Sequence, residues 1–125
     1  MPRRVVVTGL GSISPNGIGK KKFWENTCSG ISGIERISSF DPTGLSCQIA
    51  GEVQDFDPLE YFSKTDLKKL SRSVPLAIAA SKEALQDSSI DLAQFNEEDF
   101  ESLGVIVGTG GAGFDFSEKQ FEIFF

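Results

Sequence analysis

Val5-Val6-Val7-Thr8-Gly9-Leu10-Gly11 and Gly104-Val105-Ile106-Val107-Gly108-Thr109-Gly110-Gly111-Ala112-Gly113 share one design, a short β-branched run followed at once by glycines. Each run is too short for a helix and has no alternating polar face. It therefore predicts a strand buried on both sides, over residues 3–8 and 104–109. The glycines allow the backbone to turn sharply and to pass close to a neighbour. Sites at the carboxyl ends of parallel strands in α/β proteins are built this way. A nucleotide-binding fold and an acyl-transfer fold both use it.

The rest of the chain supplies helices between these runs. Residues 9–19 read as a loop, with Ser14-Pro15-Asn16-Gly17 as turn chemistry. Residues 20–28 predict a short helix ended by Ser29-Gly30. The stretch 30–42 is irregular, with scattered apolar anchors. Residues 47–53 predict a second strand, closed by Asp55-Phe56-Asp57-Pro58. Pro58 suits the first turn of a short helix through Phe62, and Ser63 with Asp66 forms a capping-box pattern. Leu67, Leu70, Val74, Ile78, Ser81 and Leu85 recur at helical steps, and Pro75 is expected to kink or divide that helix. It ends at Asp87-Ser88-Ser89, and an acidic connection including Asn96-Glu97-Glu98-Asp99 leads to the last strand. This alternation sets the class as α/β.

Composition narrows the functions. A chain of 125 residues is one domain at most. A net charge of -6 argues against nucleic acid as the main partner. No apolar run approaches the ~20 residues of a membrane span, and the N-terminus has no secretory pattern, so a cytoplasmic chain is expected. Cys28 and Cys47 follow no metal-ligand spacing and are expected to be reduced and buried. Histidine is absent, which excludes a Ser-His or Cys-His pair within these residues. Five of the eleven phenylalanines fall in residues 114–125, where an amphipathic helix stops on Phe124-Phe125. That ending is expected of a fragment interrupted inside a helix.

Gly108, Gly110 and Gly113 satisfy G-x-G-x-x-G between a strand and a helix. The acidic residue that a dinucleotide site needs about 20 positions on would lie past Phe125. At the first turn Ser14 stands where the third glycine belongs. Glu35 lies at about the acidic distance but outside a clear strand. Dinucleotide binding and a purely structural turn both remain open on the glycines alone.

The order of several motifs resembles the N-terminal part of β-ketoacyl-acyl-carrier-protein synthases, the condensing enzymes of fatty acid and polyketide synthesis. Arg3-Arg4-Val5-Val6-Val7-Thr8-Gly9-Leu10-Gly11 is similar to the family's opening strand, and Ser14-Pro15 with Gly17 to the loop after it. Phe23-Trp24, Ser29-Gly30-Ile31-Ser32-Gly33-Ile34 and Phe40-Asp41-Pro42 resemble its next signature. Ala77, Ala79-Ala80 and Glu83-Ala84-Leu85-Gln86-Asp87-Ser88 resemble its long helix, and Val105 through Gly113 the strand and turn that follow.

The resemblance implies a thiolase-like αβαβα fold, of which residues 1–125 are part of the N-terminal half, and a cytoplasmic homodimer. It implies a condensing acyltransferase that uses no cofactor of its own, its substrates being carried on the phosphopantetheine of acyl carrier protein. The family's nucleophilic cysteine and its histidines have no counterpart in this chain, so no catalytic residue and no metal ligand is expected here. Gly111 matches a position that lines the pocket for the growing acyl end, where glycine leaves room. Lys64, Lys68 and Arg72 fall at i, i+4 and i+8 with Lys69 beside them, which predicts a basic stripe on one helical face. In the family this helix docks the acidic carrier protein. A non-catalytic truncated paralogue, or a carrier-docking module, is the alternative of a different class; a dinucleotide-binding domain is the third.

Overall fold

The computed structural model describes residues 3–125. The first paired element is a small hairpin. β1 (Ile13–Ser14) runs antiparallel to β2 (Gly17–Ile18), with Ile13 opposite Ile18 and Ser14 opposite Gly17. Pro15-Asn16 makes the turn where Ser14-Pro15-Asn16-Gly17 predicted one. α1 (Lys20–Cys28) follows over the expected range and closes where Ser29 donates its N–H to the Glu25 carbonyl and Gly30 takes φ +68°. Glycine suits that left-handed position after a helix.

A second ribbon pairs β3 (Ile34–Arg36) with β4 (Ile49–Gly51), Glu35 lying opposite Ala50. The expected strand 47–53 thus contains β4 but is shorter, and β3 forms inside a stretch read as irregular. A 3-10 turn (Pro58–Glu60) is capped by Asp57, whose carboxylate accepts the Leu59 N–H at 2.8 Å.

Of the expected Ser63–Asp66 box, the N-cap half forms at the start of α2 (Lys64–Leu67), without the reciprocal bond from the Ser63 backbone N–H. Ser63 Oγ accepts the Asp66 N–H at 3.2 Å and donates to the Asp66 carboxylate at 2.7 Å. The helix then breaks earlier than expected. α2 ends at Leu67 and α3 (Ser73–Ser88) begins after a short turn. Pro75 sits in the first turn of α3, where its missing N–H has no intrahelical partner to lose, and it is buried. Ser89, at φ +57°, closes α3. A second 3-10 turn (Leu92–Gln94) precedes α4 (Glu97–Glu101), a helix within the expected acidic connection. Asn96 and Asp99 cap it reciprocally at 3.0 Å in both directions. α5 (Phe114–Phe124) forms where the amphipathic pattern placed it.

The two valine runs depart from the buried strands predicted for them. Neither 3–8 nor 104–109 forms a strand, and their side chains are exposed, Ile106 at 99%. A strand's hydrogen bonds go to a neighbouring strand, so β-propensity without a neighbour makes no ladder. None of the described residues pairs with either run. What holds the first run in place is the helix beneath its glycine end.

Candidate functional site

α3 is the platform for the segment entering β1 and for the start of α1, and Ala79, at 1% exposure, marks its packed side. Gly9 and Gly11, two residues apart, lie on the backbone of α3 at Ala84 and Ala80, four apart and one turn from each other. A Cβ at either glycine would collide with those carbonyl oxygens. The glycines that read as a turn therefore serve a close approach of chain to helix.

Two carboxylates on the same helix lock this contact. Glu83 accepts the N–H groups of Ser12 and Lys20, each at 2.8 Å, one on each oxygen. Asp87 accepts the Leu10 N–H at 3.0 Å and forms an ion pair with the Lys20 ammonium. The Lys20 hydrogen bond, then the Leu10 N–H, hold the Asp87 carboxyl below its usual range. The segment entering β1 and the first turn of α1 are thus both tied to one helical face. Residue types alone did not mark Glu83 and Asp87 for this role. Their i, i+4 spacing on a long helix was the available signal.

A third carboxylate clamps the far side of the β3–β4 ribbon. Glu52 takes the Ser38 N–H at 2.8 Å and its hydroxyl at 2.7 Å on one oxygen. Its other oxygen takes the Ser39 N–H at 3.2 Å and its hydroxyl at 2.5 Å. The Ser39 hydroxyl, then the Ser38 hydroxyl and N–H, lower the Glu52 pKa to about 2.

The basic residues lie at the junction of α2 and α3. Lys64 begins α2, Lys68 caps its end, Lys69 follows, and Arg72 is the N-cap of α3. All four are exposed, and among the described residues no ion pair engages the three lysines. The helix break means that they do not form one continuous stripe. Lys64 and Lys68 share α2, while the Arg72 guanidinium donates to the Val53 carbonyl.

Gly111 lies in the turn leading into α5, at φ +112°. A Cβ there would meet the Phe114 ring at 3.0 Å, so both backbone and neighbour favour glycine. Gly108 and Gly110 face open space.

The cysteines depart from the buried placement expected of them, since both are exposed. Cys28 is the last residue of α1, the opposite end from the N–H groups that favour a nucleophilic thiolate. Among the described residues no group of His, Cys, Asp and Glu side chains is placed to hold a metal ion. No helix there is long and apolar enough to cross a membrane.

Comparison with known proteins covers most of the chain. Residues 2–122 match the family model described as the beta-ketoacyl synthase N-terminal domain. The 3-oxoacyl-[acyl-carrier-protein] synthase 2 of Vibrio harveyi is 42% identical over 116 residues, covering 93% of this chain and 27% of its own length. The enzyme of the same name from Synechocystis sp. is 35% identical over 118 residues, covering 94% of this chain and 28% of its own. Among solved structures, the ishigamide ketosynthase/chain length factor superposes with a TM-score of 0.63 at 34% identity, over 78% of this chain and 23% of that one. This chain therefore spans little more than a quarter of the curated relatives it matches. Both glycine turns fall inside the matched residues, and so does the α3 platform. The chain belongs to the β-ketoacyl synthase family, with the α/β, thiolase-like ketosynthase fold, and its residues 2–122 match the family's N-terminal domain.

Proposed function

We propose that this chain is the N-terminal part of a 3-oxoacyl-[acyl-carrier-protein] synthase that elongates fatty acid or polyketide chains. The observation that carries this reading is the match over 93% of the chain to the Vibrio harveyi synthase. In the reaction, a cysteine thiolate takes an acyl group from a carrier-bound thioester and releases the phosphopantetheine thiol. A malonyl thioester then loses carbon dioxide, and its carbanion attacks the acyl-enzyme. A carbon–carbon bond forms as the cysteine is freed. This chain has no histidine and no cysteine in a nucleophile's setting, so its own part is structural and recognitive. The lysines at the α2–α3 junction attract the acidic carrier protein, and Gly111 leaves space beside the acyl end. The working enzyme is a cytoplasmic homodimer that needs no cofactor beyond the carrier's own arm.

Two measurements test the reading. Incubated with a radiolabelled acyl-carrier thioester, the chain is expected to keep no label through a denaturing gel. Label on Cys28 or Cys47 would overturn their assignment as non-catalytic. Titrated into fluorescent holo-carrier protein at low salt, the chain is expected to bind with an affinity that falls as ionic strength rises. Reversing Lys68 and Lys69 to glutamate is expected to weaken that binding roughly tenfold or more, because attraction becomes repulsion at the docking face. Equal affinity of the double variant and the parent would remove the docking assignment.

A further inference from the structure

Two faces of the chain are open and apolar, and they carry opposite charge. Beside α1, Leu10, Phe23 and Trp24 line an open cleft of about 470 Å³ together with Lys20 and Lys21. Trp24 is 65% exposed, so the chain leaves this cleft uncovered. The Lys20 ammonium is committed to Asp87, whereas Lys21 is exposed and forms no ion pair among the described residues. On α5, Phe114, Ser117, Glu118, Phe121 and Glu122 fall at i, i+3, i+4, i+7 and i+8 and border one shallow concavity. Phe114 is 78% exposed, and the Phe125 ring extends the stripe, stacked on Phe121 with centroids 6.3 Å apart. α1 carries three lysines against one glutamate, and α5 three carboxylates against one lysine.

We propose that the α1 cleft of one copy of this chain receives the α5 stripe of a second copy, with Phe114 and Phe121 against Phe23 and Trp24, and Glu118 and Glu122 facing Lys21. Charge selects this occupant. The exposed valine runs match the cleft in polarity alone, since neither Val5-Val6-Val7 nor Val105-Ile106-Val107 carries a carboxylate. The α5 stripe offers large aromatic groups and carboxylates on one face. Burying its rings against Trp24 and Phe23 supplies the driving force. The charge pairs fix the orientation and speed encounter, and add little affinity of their own. The two surfaces differ, so the contact is head-to-tail. Each pair of copies keeps one open cleft and one open stripe, and association continues past the dimer unless a ring closes.

Trp24 is the single tryptophan of the chain and reports on the cleft directly. In the parent, its emission is expected to move to shorter wavelength as concentration rises through the tens of micromolar, in step with the sedimentation coefficient. Added salt is expected to raise the midpoint of that shift. Lys21→Glu is expected to raise it about fivefold, and Glu118→Lys with Glu122→Lys to do the same. Lys21→Glu puts an acidic group in the first turn of α1, where the helix dipole favours it, so a lost shift is not a lost helix. An equimolar mixture of the two variant chains is expected to recover a shift near the parent midpoint. The cleft of one and the stripe of the other are both unaltered, and only a head-to-tail contact is rescued this way. Trp24 emission that stays fixed at every concentration overturns the proposal, and does so even if the sedimentation coefficient rises, since association then uses other surfaces such as the valine runs. Variants that shift as the parent does, or a mixture that shifts no better than its components, overturn it as well.

Discussion

Gly11 and Gly104 are the same residue type at the ends of the two valine runs, yet the structure gives them opposite demands. Gly11 lies against the Ala80 carbonyl with no space for a side chain, whereas a Cβ at Gly104 meets nothing within 4 Å. Gly11→Ala has to push the incoming segment off α3, or bend α3 itself, and in doing so stretches the Glu83 bonds to Ser12 and Lys20. Overpacking against a backbone is expected to cost about 3 kcal/mol. Gly104→Ala removes only unfolded-chain freedom and is expected to lie within about 0.5 kcal/mol of the parent. Urea denaturation of both variants checks the contrast. Equal midpoints would show that the Gly9–Gly11 contact with α3 is not tight. Gly30, at φ +68° and in open space, is the intermediate case, where alanine costs backbone strain of about 1 kcal/mol without a collision.

Among the elements, the β3–β4 ribbon is one whose stability should follow pH. Glu52 ties Ser38 and Ser39 to the end of β4, and its folded pKa, about 2, lies below the ordinary glutamate value near 4.3. A depressed carboxylate contributes stability that is complete above the unfolded pKa and is lost as pH falls through the folded one. The ribbon is therefore expected to loosen between about pH 4.3 and 2. Carboxyl resonances should report a Glu52 midpoint near 2 in the parent, raised most by Ser39→Ala and less by Ser38→Ala. A Glu52 midpoint at the ordinary glutamate value would remove the clamp.

How far such elements were legible depended on whether their signals were local. α1, the Ser63 cap and α5 were readable because spacing and capping lie within a few residues of each other. The Asn96–Asp99 box was equally local but hidden by an acidic run that read as a connection. The Val5 and Val105 runs were not legible as elements, because a strand is defined by a neighbour elsewhere in the chain. The site divides the same way. The lysines were visible as charge, while the Arg72–Val53 and Glu83–Ser12 bonds span sequence distances that no local pattern encodes.

The assembled molecule exposes far more surface than its length requires. Its accessible area is 10384 Å², whereas a compact domain of this size exposes roughly 6,500 Å². The excess is apolar where it matters. Val5, Val6 and Val7, then Val105, Ile106 and Val107, stand open, and so do Phe121, Ile123, Phe124 and Phe125 on α5 and just beyond. Unpaired β-branched runs carry free N–H and C=O groups that a second strand can pair with, and exposed aromatic side chains add an apolar surface to bury. In isolation the chain is therefore expected to self-associate, its sedimentation coefficient rising with concentration through the tens of micromolar. Val6→Lys with Ile106→Lys places a charge in the middle of each run and should delay that rise to higher concentration, since a paired strand would bury the ammonium. The same substitutions lie away from the α2–α3 junction and should leave carrier binding unchanged. A compact monomer at every concentration, for the parent chain, would show that the valine runs find partners within the chain itself.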